Sequence, residues 1–316
     1  MTRRTLVINP LGGALLHYRS ELVSVLRESL QDPLVLEFDE PSVSRESRYR
    51  WVSKYMKALV MARLRQRRAR GSTAIITWPV LGYLDLLLMA FVLPGSWLTV
   101  HDPVPLVRSI GYGRLARAAA RVLGHRARII VLSQQAFDEA RRALPRATIR
   151  VLPHPILEPE LPRQRPEQAV LRVLGQYKAD RDIDLLRSIA ADHPAALCTI
   201  TGRGWPDVVG WDVDNRFVPE SELDDLIRSA SVVLIPYRRF FQSGVAVRCV
   251  EIGTPVVGPS GSSLSDLLGT RADLLAESTP TDWRRAIRAA IEISEHDMIS
   301  ISDQARSRAA CEWAAM

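Results

Sequence analysis

The chain has 316 residues, more than one hydrophobic core usually organises, so two domains of about 150 residues each are expected. It is 47% hydrophobic and 24% charged, an ordinary globular balance that excludes wholesale disorder. A net charge of +7 points to anionic partners, whether nucleotides, phospholipid headgroups or nucleic acid.

The first residues, Met1-Thr2-Arg3-Arg4, run straight into a strand pattern with no cleavable signal, so a cytoplasmic protein is expected. The longest apolar stretch, 84–93, contains Asp85 and falls short of the about 20 residues that span a bilayer. Cys198, Cys249 and Cys311 lie far apart without metal-site spacing, so buried reduced thiols are expected, with neither a disulfide scaffold nor a metal site.

Strand patterns at 6–8, 34–38, 74–77, 97–100, 129–132 and 149–152 alternate with helical periodicity at 21–30, 106–123 and 135–144. This order predicts right-handed βαβ units and a mostly parallel sheet. After the first strand comes Asn9-Pro10-Leu11-Gly12-Gly13, where paired glycines either turn backbone amides toward a ligand or simply make a turn. Between positions 45 and 70 ten Arg/Lys residues interleave with Trp51, Tyr55, Met56, Leu59, Val60 and Leu64 at spacings of three and four. That pattern predicts an amphipathic helix with a basic face, suited to an anionic membrane surface or to plain packing with solvated charges. The 78–81 turn and Asp85 either reach the ligand cleft or pack in the core. His101 and Asp102 close the strand at 97–100 and precede Pro103 and Pro105, which force a loop.

Four prolines among residues 153–162 stop both helix and strand and mark a linker reaching to about 168. His154 falls at its start and reads as a hinge residue more than a ligand. A second alternating series follows, with strands at 170–174, 197–200, 232–235 and 255–257 and helices at 183–191, 222–229 and 245–252. Residues 281–316 read as two helices. The expected division is 1–155, a linker at 156–168, 169–295, and a terminal helix at 296–316 that crosses back to the first domain. Doubly wound sheets bind ligands beyond the carboxyl ends of their strands.

The chemistry-bearing segments concentrate in the second half. Gly175-Gln176-Tyr177-Lys178-Ala179-Asp180-Arg181 follows a strand and opens a helix, and Thr201-Gly202-Arg203-Gly204 follows the next. Arg216-Phe217-Val218-Pro219-Glu220 comes after, and then Gln242-Ser243-Gly244-Val245 opens the helix that ends in Gly253-Thr254-Pro255-Val256-Val257. Glycine after a strand allows close backbone approach, and a helix N-terminus offers N–H groups with partial positive charge. A cation about 4 Å from a phosphate is worth on the order of 4 kcal/mol at an effective dielectric near 20. Lys178 and Arg181 are therefore placed either to hold a diphosphate or to begin a solvated helix.

In this order, these segments over about 170–268 resemble the donor domain of the group 1, or family 4-type, glycosyltransferases of the GT-B fold. The resemblance implies an α/β fold of two doubly wound Rossmann-like domains facing a cleft, and a UDP- or GDP-sugar as donor. Retention at the anomeric carbon, no required cofactor and no bound metal follow from the same resemblance. It implies donor contacts from Gly12, Gly13, Gly175, Lys178, Arg181, Gly202, Phe217, Gln242, Ser243, Gly244 and Val245. His101 is implied to lie near the donor sugar, and Asp102 to act as acceptor base or to position the acceptor.

The pattern differs in places. It carries arginine near Gln176 and lysine near Arg181, and it carries glutamates at the positions of Phe240 and Arg248. Glu251, a turn beyond Arg248, either binds the donor ribose or is a helix-surface acid. A nucleotide-sugar epimerase on the same fold and a catalytically silent or nucleic-acid-binding protein are the alternatives. Scattered basic residues outside 45–70 and the lack of a known binding motif argue against nucleic acid. The acceptor is unspecified by the sequence.

Overall fold

The computed structural model describes residues 4–29, 31–69, 72–103, 111–158, 166–238, 241–277 and 279–316. Phe240, Arg70, Leu30, the start of the helix expected at 106–123 and part of the linker expected at 156–168 lie outside these residues. The chain divides into two compact units, Met1–Pro155 with Ala309–Met316, and Ile156–Arg308.

The first unit contains β1 (Arg4–Asn9), α1 (Leu16–Glu28), β2 (Asp32–Glu37), α2 (Pro41–Ser44), α3 (Arg48–Arg68) and β3 (Thr73–Ile76). It continues with α4 (Tyr83–Val92), β4 (Trp97–Thr99), α5 (Arg114–Leu123), β5 (Arg128–Val131), α6 (Gln134–Ala143) and β6 (Thr148–Val151). Its six strands are all parallel in the order β2-β1-β3-β4-β5-β6, with Ile8 opposite both Leu36 and Ile76. Strands buried on both faces read as continuous apolar runs such as Leu6-Val7-Ile8, as a parallel sheet demands. Val7, Ile75, Trp97 and Ile130 pack with Leu22 and Leu26 of α1 and with Trp313 from the end of the chain. The Trp313 indole donates to the Pro153 carbonyl at 2.9 Å, which satisfies the one polar atom of a fully buried ring.

The second unit contains β7 (Val170–Leu174), α7 (Ile183–Asp192), β8 (Leu197–Thr201), β9 (Asp212–Asp214), α8 (Glu220–Arg228) and β10 (Val232–Leu234). It ends with α9 (Gly244–Ile252), β11 (Val256–Pro259), α10 (Ser263–Leu268), β12 (Leu275–Ala276), α11 (Pro280–Glu292) and α12 (Glu295–Ala314), whose last residues belong to the first unit. The sheet order is β12-β11-β10-β7-β8-β9, again all parallel. Local chemistry sets the helix ends. Asp182 caps α7 by accepting from Leu185 N at 3.1 Å, and Ser243 caps α9 by accepting from Ala246 N at 3.3 Å. Gly253, at φ +78°, ends α9 in the left-handed conformation that favours glycine.

The sequence reading missed β9 and β12. They are three and two residues long, and the Asp-Val-Asp of β9 lacks an apolar run to betray it. Among the described residues no helix is long and apolar enough to cross a membrane. Cys198 and Cys249 are buried as expected, but Cys311 is exposed on the outer side of α12.

Candidate functional site

In the second unit the strand order brings four loops into a row at the carboxyl edge of the sheet, those after β10, β7, β8 and β9. Gly175 leaves β7 at φ +95°, and Gly202 leaves β8 against it. The Gly175 carbonyl fills the space where a Cβ on residue 202 would stand, so only glycine allows the two loops to meet. The Trp205 indole donates to that same carbonyl at 2.8 Å.

Arg181 lies at the centre of this row and is 5% exposed. Its Nη2 donates to the Leu174 carbonyl at 2.9 Å, and the guanidinium lies 4.1 Å from the Tyr237 ring centre and 5.2 Å from that of Trp205. Nε and Nη1 meet no acceptor among the described residues. Burial lowers its pKa from the ordinary arginine value, an effect that the Tyr237 hydroxyl offsets only in part, through its charge and a side-chain hydrogen bond. Such an arginine is aromatic-braced and has hydrogen-bonding capacity to spare, which suits a phosphate oxygen.

The loop after β7 is stitched to the loop after β10. Asp182 N donates to the Pro236 carbonyl, Arg238 N donates to the Asp180 carbonyl, and Arg238 pairs with Asp182 at 3.0 Å. Lys178 stands exposed on the same loop. Beyond the β10 loop, half-buried Gln242 and Ser243 lead into exposed Gly244 and half-buried Val245, the first turn of α9. At the other end of the row, the Arg203 guanidinium lies 5.0 Å from the ring centre of exposed Phe217.

Glu251 stands apart from this row. It is fully buried, so the helix-surface reading is corrected. One oxygen accepts from Leu157 N at 2.8 Å and the other from Arg248 Nη1 at 3.1 Å. Arg248 in turn grips Asp224 through Nε at 2.7 Å and Nη2 at 2.6 Å. The arginine that stands where the resemblance expects a glutamate is thus the centre of a buried ion-pair network. Asp224, on α8, gave no signal in the sequence because its partner lies 24 residues away.

In the first unit the corresponding edge gathers residues that follow β1, β3, β4 and β6. Asn9 braces three loops: its Nδ2 donates to the Gly12 carbonyl and to Glu37, while its Oδ1 accepts from Thr77 Oγ1 at 3.2 Å. Gly12, at φ +50°, packs against Asp39, whose carboxylate accepts from Gly13 N at 3.0 Å. A carboxylate of the chain itself therefore engages the Gly13 amide.

His101 is buried, with Nε2 2.9 Å from the Thr77 carbonyl. A carbonyl only accepts, so Nε2 carries a proton and donates it to Thr77. The Tyr18 ring meets His101 edge-on at 4.7 Å and His154 edge-on at 5.2 Å, while Trp78 lies 5.1 Å from His101. Burial pushes the Tyr18 hydroxyl well above the ordinary phenol range. Fully buried Glu21 has one oxygen 3.0 Å from His17 Nε2 and the other 3.4 Å from His154 Nδ1, which lies closer, at 2.8 Å, to the Pro155 carbonyl. Asp102 is half-buried beside His101. His154 therefore belongs to an aromatic and carboxylate cluster, a placement its position at the linker did not suggest. Tyr18 escaped the sequence reading because its helix begins at Leu16, five residues before the expected start, and Glu21, the first residue of the expected helix, gave no sign that it is buried. The 78–81 turn supplies Trp78 to this cluster, whereas Asp85 is buried and accepts from Tyr55 Oη at 2.8 Å and from Leu81 N at 2.6 Å.

No protein-family model matches the chain, and no curated protein matches its sequence. Solved structures do match. The E. coli trehalose-6-phosphate protein bound with UDP-2-fluoro glucose superposes with a TM-score of 0.64 at 10% identity, over 99% of this chain and 97% of that one. Anabaena HepE in complex with UDP and glucose gives 0.62 at 13% identity, over 97% and 95%. TarM gives 0.55 at 12% identity over 80% of this chain, which spans 55% of the length of TarM. Identities of this size speak for the fold alone. The chain has the GT-B fold, with two Rossmann-like units each built on a six-stranded parallel sheet.

Proposed function

We propose that the chain is a glycosyltransferase that moves a sugar from a nucleotide diphosphate sugar, UDP- or GDP-linked, to an acceptor held by the first unit. The observation that carries this reading is Arg181, a buried cation with two nitrogens unmatched among the described residues, at the carboxyl edge of the second sheet. Two of the proteins sharing the fold were solved with UDP or a UDP-sugar, which supports the same donor class.

As the bond from the anomeric carbon to the phosphate oxygen breaks, negative charge grows on the departing diphosphate. Arg181, Lys178 and the N-terminus of α9 at Ser243, Gly244 and Val245 meet that charge, so no bound metal is required. Gly175 and Gly202 let the backbone approach the phosphates, with Gln242 beside them, and Phe217 with Arg203 offers a flat surface for the base. In the first unit, His101 lies beside the donor sugar and hydrogen-bonds one of its hydroxyls, and Asp102 takes the acceptor's proton as the acceptor oxygen bonds to the anomeric carbon. Gly12 and Gly13 line the same edge. Retention at that carbon belongs to this proposal, with the acceptor oxygen bonding on the same face from which the diphosphate departs, as does a cytoplasmic setting. So does peripheral contact with an anionic membrane through α3, whose Arg50, Lys54, Lys57, Arg65 and Arg68 are exposed.

Thermal unfolding with UDP, GDP, ADP and TDP tests the reading. A ligand at 100 times its Kd adds about 2.7 kcal/mol of stability. We expect one diphosphate to stabilise selectively, Arg181→Ala to abolish that shift, and Arg187→Ala, on the exposed side of α7, to keep it. Folded protein that responds to none of them would overturn the proposal. A nucleotide-binding but silent protein is the second reading, favoured by the capture of Arg248 between Asp224 and Glu251. A diphosphate shift without sugar transfer to any acceptor would select it.

A further inference from the structure

Right-handed crossovers lay α3, α4 and α5 side by side on one face of the first unit's sheet, with α4 touching both neighbours. On a helix that covers a sheet, the outward face is ordinarily polar. That of α4 is not. Its inward residues Tyr83, Leu86, Met89 and Ala90 are buried in the unit. Leu84, Leu87, Leu88 and Phe91 fall at i, i+3, i+4 and i+7 on the other side, with Phe91 57% exposed. Val60, Met61 and Leu64 continue the apolar surface onto α3, and Leu115, 88% exposed, and Val122 continue it onto α5.

On α3 and α5 the charges that flank this surface are cationic. Arg114, Arg117 and Arg121 form an exposed stripe at i, i+3 and i+7 along α5, and Arg50, Lys57 and Arg68 stand exposed on α3. Lys54 pairs with Glu46 just before α3. Neither α3 nor α5 contains an aspartate or glutamate, and the one carboxyl of α4, Asp85, is buried.

We infer that the α3–α4–α5 face docks on an anionic phospholipid bilayer, with the outward stripe of α4 in the acyl boundary and the cations of α3 and α5 at the phosphates. The sequence alone pointed to α3. The structure moves the apolar centre to α4 and adds a second cationic rim on α5. A second copy of the chain is a poor occupant, because a two-fold contact across this face sets arginines against arginines. An apolar centre flanked by the cations of α3 and α5 matches acyl chains beneath a layer of phosphates. The inference deepens the membrane contact of the proposed function, rests on none of its transfer chemistry and is tested without any assay of activity.

The test is sedimentation of the full chain with vesicles of phosphatidylcholine alone and of phosphatidylcholine with phosphatidylglycerol. Binding is expected to need the anionic lipid and to weaken with salt. Leu84→Glu with Phe91→Glu is expected to reduce binding at least about tenfold, and Arg114→Gln, Arg117→Gln and Arg121→Gln together to do likewise. Val209→Glu, an exposed apolar site in the second unit, is expected to bind as wild type. Circular dichroism melts confirm that the surface variants fold. Several outcomes would overturn the inference: no sedimentation with anionic vesicles, equal binding to both kinds, or unchanged binding by the α4 and α5 variants. A wild-type dimer that Phe91→Glu dissociates would make the face a contact between copies instead.

Discussion

The carbonyl oxygen of Gly175 occupies the space that a Cβ on residue 202 would need. Two loops from adjacent strands therefore touch through backbone alone, and the Trp205 indole locks the contact by donating to the same oxygen. Gly202→Ala forces the loops apart at a cost of about 1–3 kcal/mol. It should lower the urea midpoint and remove any nucleotide-induced thermal shift. A variant with wild-type stability would show that the loops separate freely.

Arg181 makes the opposite case, in which a residue suited to a ligand burdens the fold. A buried guanidinium without a carboxylate is costly, and a similar-sized apolar side chain in its place is often neutral or stabilising. Arg181→Met should melt no lower than wild type without ligand and should lose the diphosphate response. A melting temperature several degrees lower would assign the guanidinium to structure, through Leu174 and the flanking rings.

Glu251 reads the other way. Its removal leaves the Leu157 amide and an Arg248 nitrogen with one acceptor fewer in the interior. Glu251→Ala should cost about 3 kcal/mol, and Glu251→Gln clearly less, since its amide oxygen still accepts from Leu157. Denaturant titration of both variants checks the order. Equal loss would mean that the ion pair, and not the amide bond, matters.

Asp85 makes stability depend on pH. Burial pushes its pKa up to about 6, above the 3.8 of an exposed aspartate, so the folded chain holds a proton that the unfolded chain has released between these values. Stability from this group is complete below pH about 4 and is lost as pH rises to about 6, with a limiting slope of about 1.4 kcal/mol per pH unit. Melts of wild type and Asp85→Asn across that window should diverge, the variant losing this slope. Its amide oxygen can still accept from Leu81 N while its amide N–H donates to Tyr55 Oη, so the variant should keep a nearly flat stability across that window. Parallel curves would place the titration elsewhere.

What the sequence disclosed follows a physical division. Long strands such as β1 and β7 announce themselves because burial on both faces demands unbroken apolar runs, and α9 is framed by its Ser243 cap and Gly253 stop. Gly175 and Gly202 could be placed at strand ends from their neighbours. The relationships that give the edge its chemistry were not legible, since they join residues far apart in the chain: Arg181 with Trp205 and Tyr237, Arg248 with Asp224, Tyr18 with His101 and His154. Burial was hidden as well. Nothing in the helical spacing of Glu251 distinguished a solvent-facing acid from one at the heart of a network.

The passage of α12 from one unit to the other bears on synthesis. Trp313 and Ala309 complete the core of the first unit, and they leave the ribosome only after every residue of the second unit has been made. Until then Val7, Ile75 and Ile130 lack part of their cover. The N-terminal unit, though translated first, therefore lacks two of its core side chains until the whole of the second unit has been made.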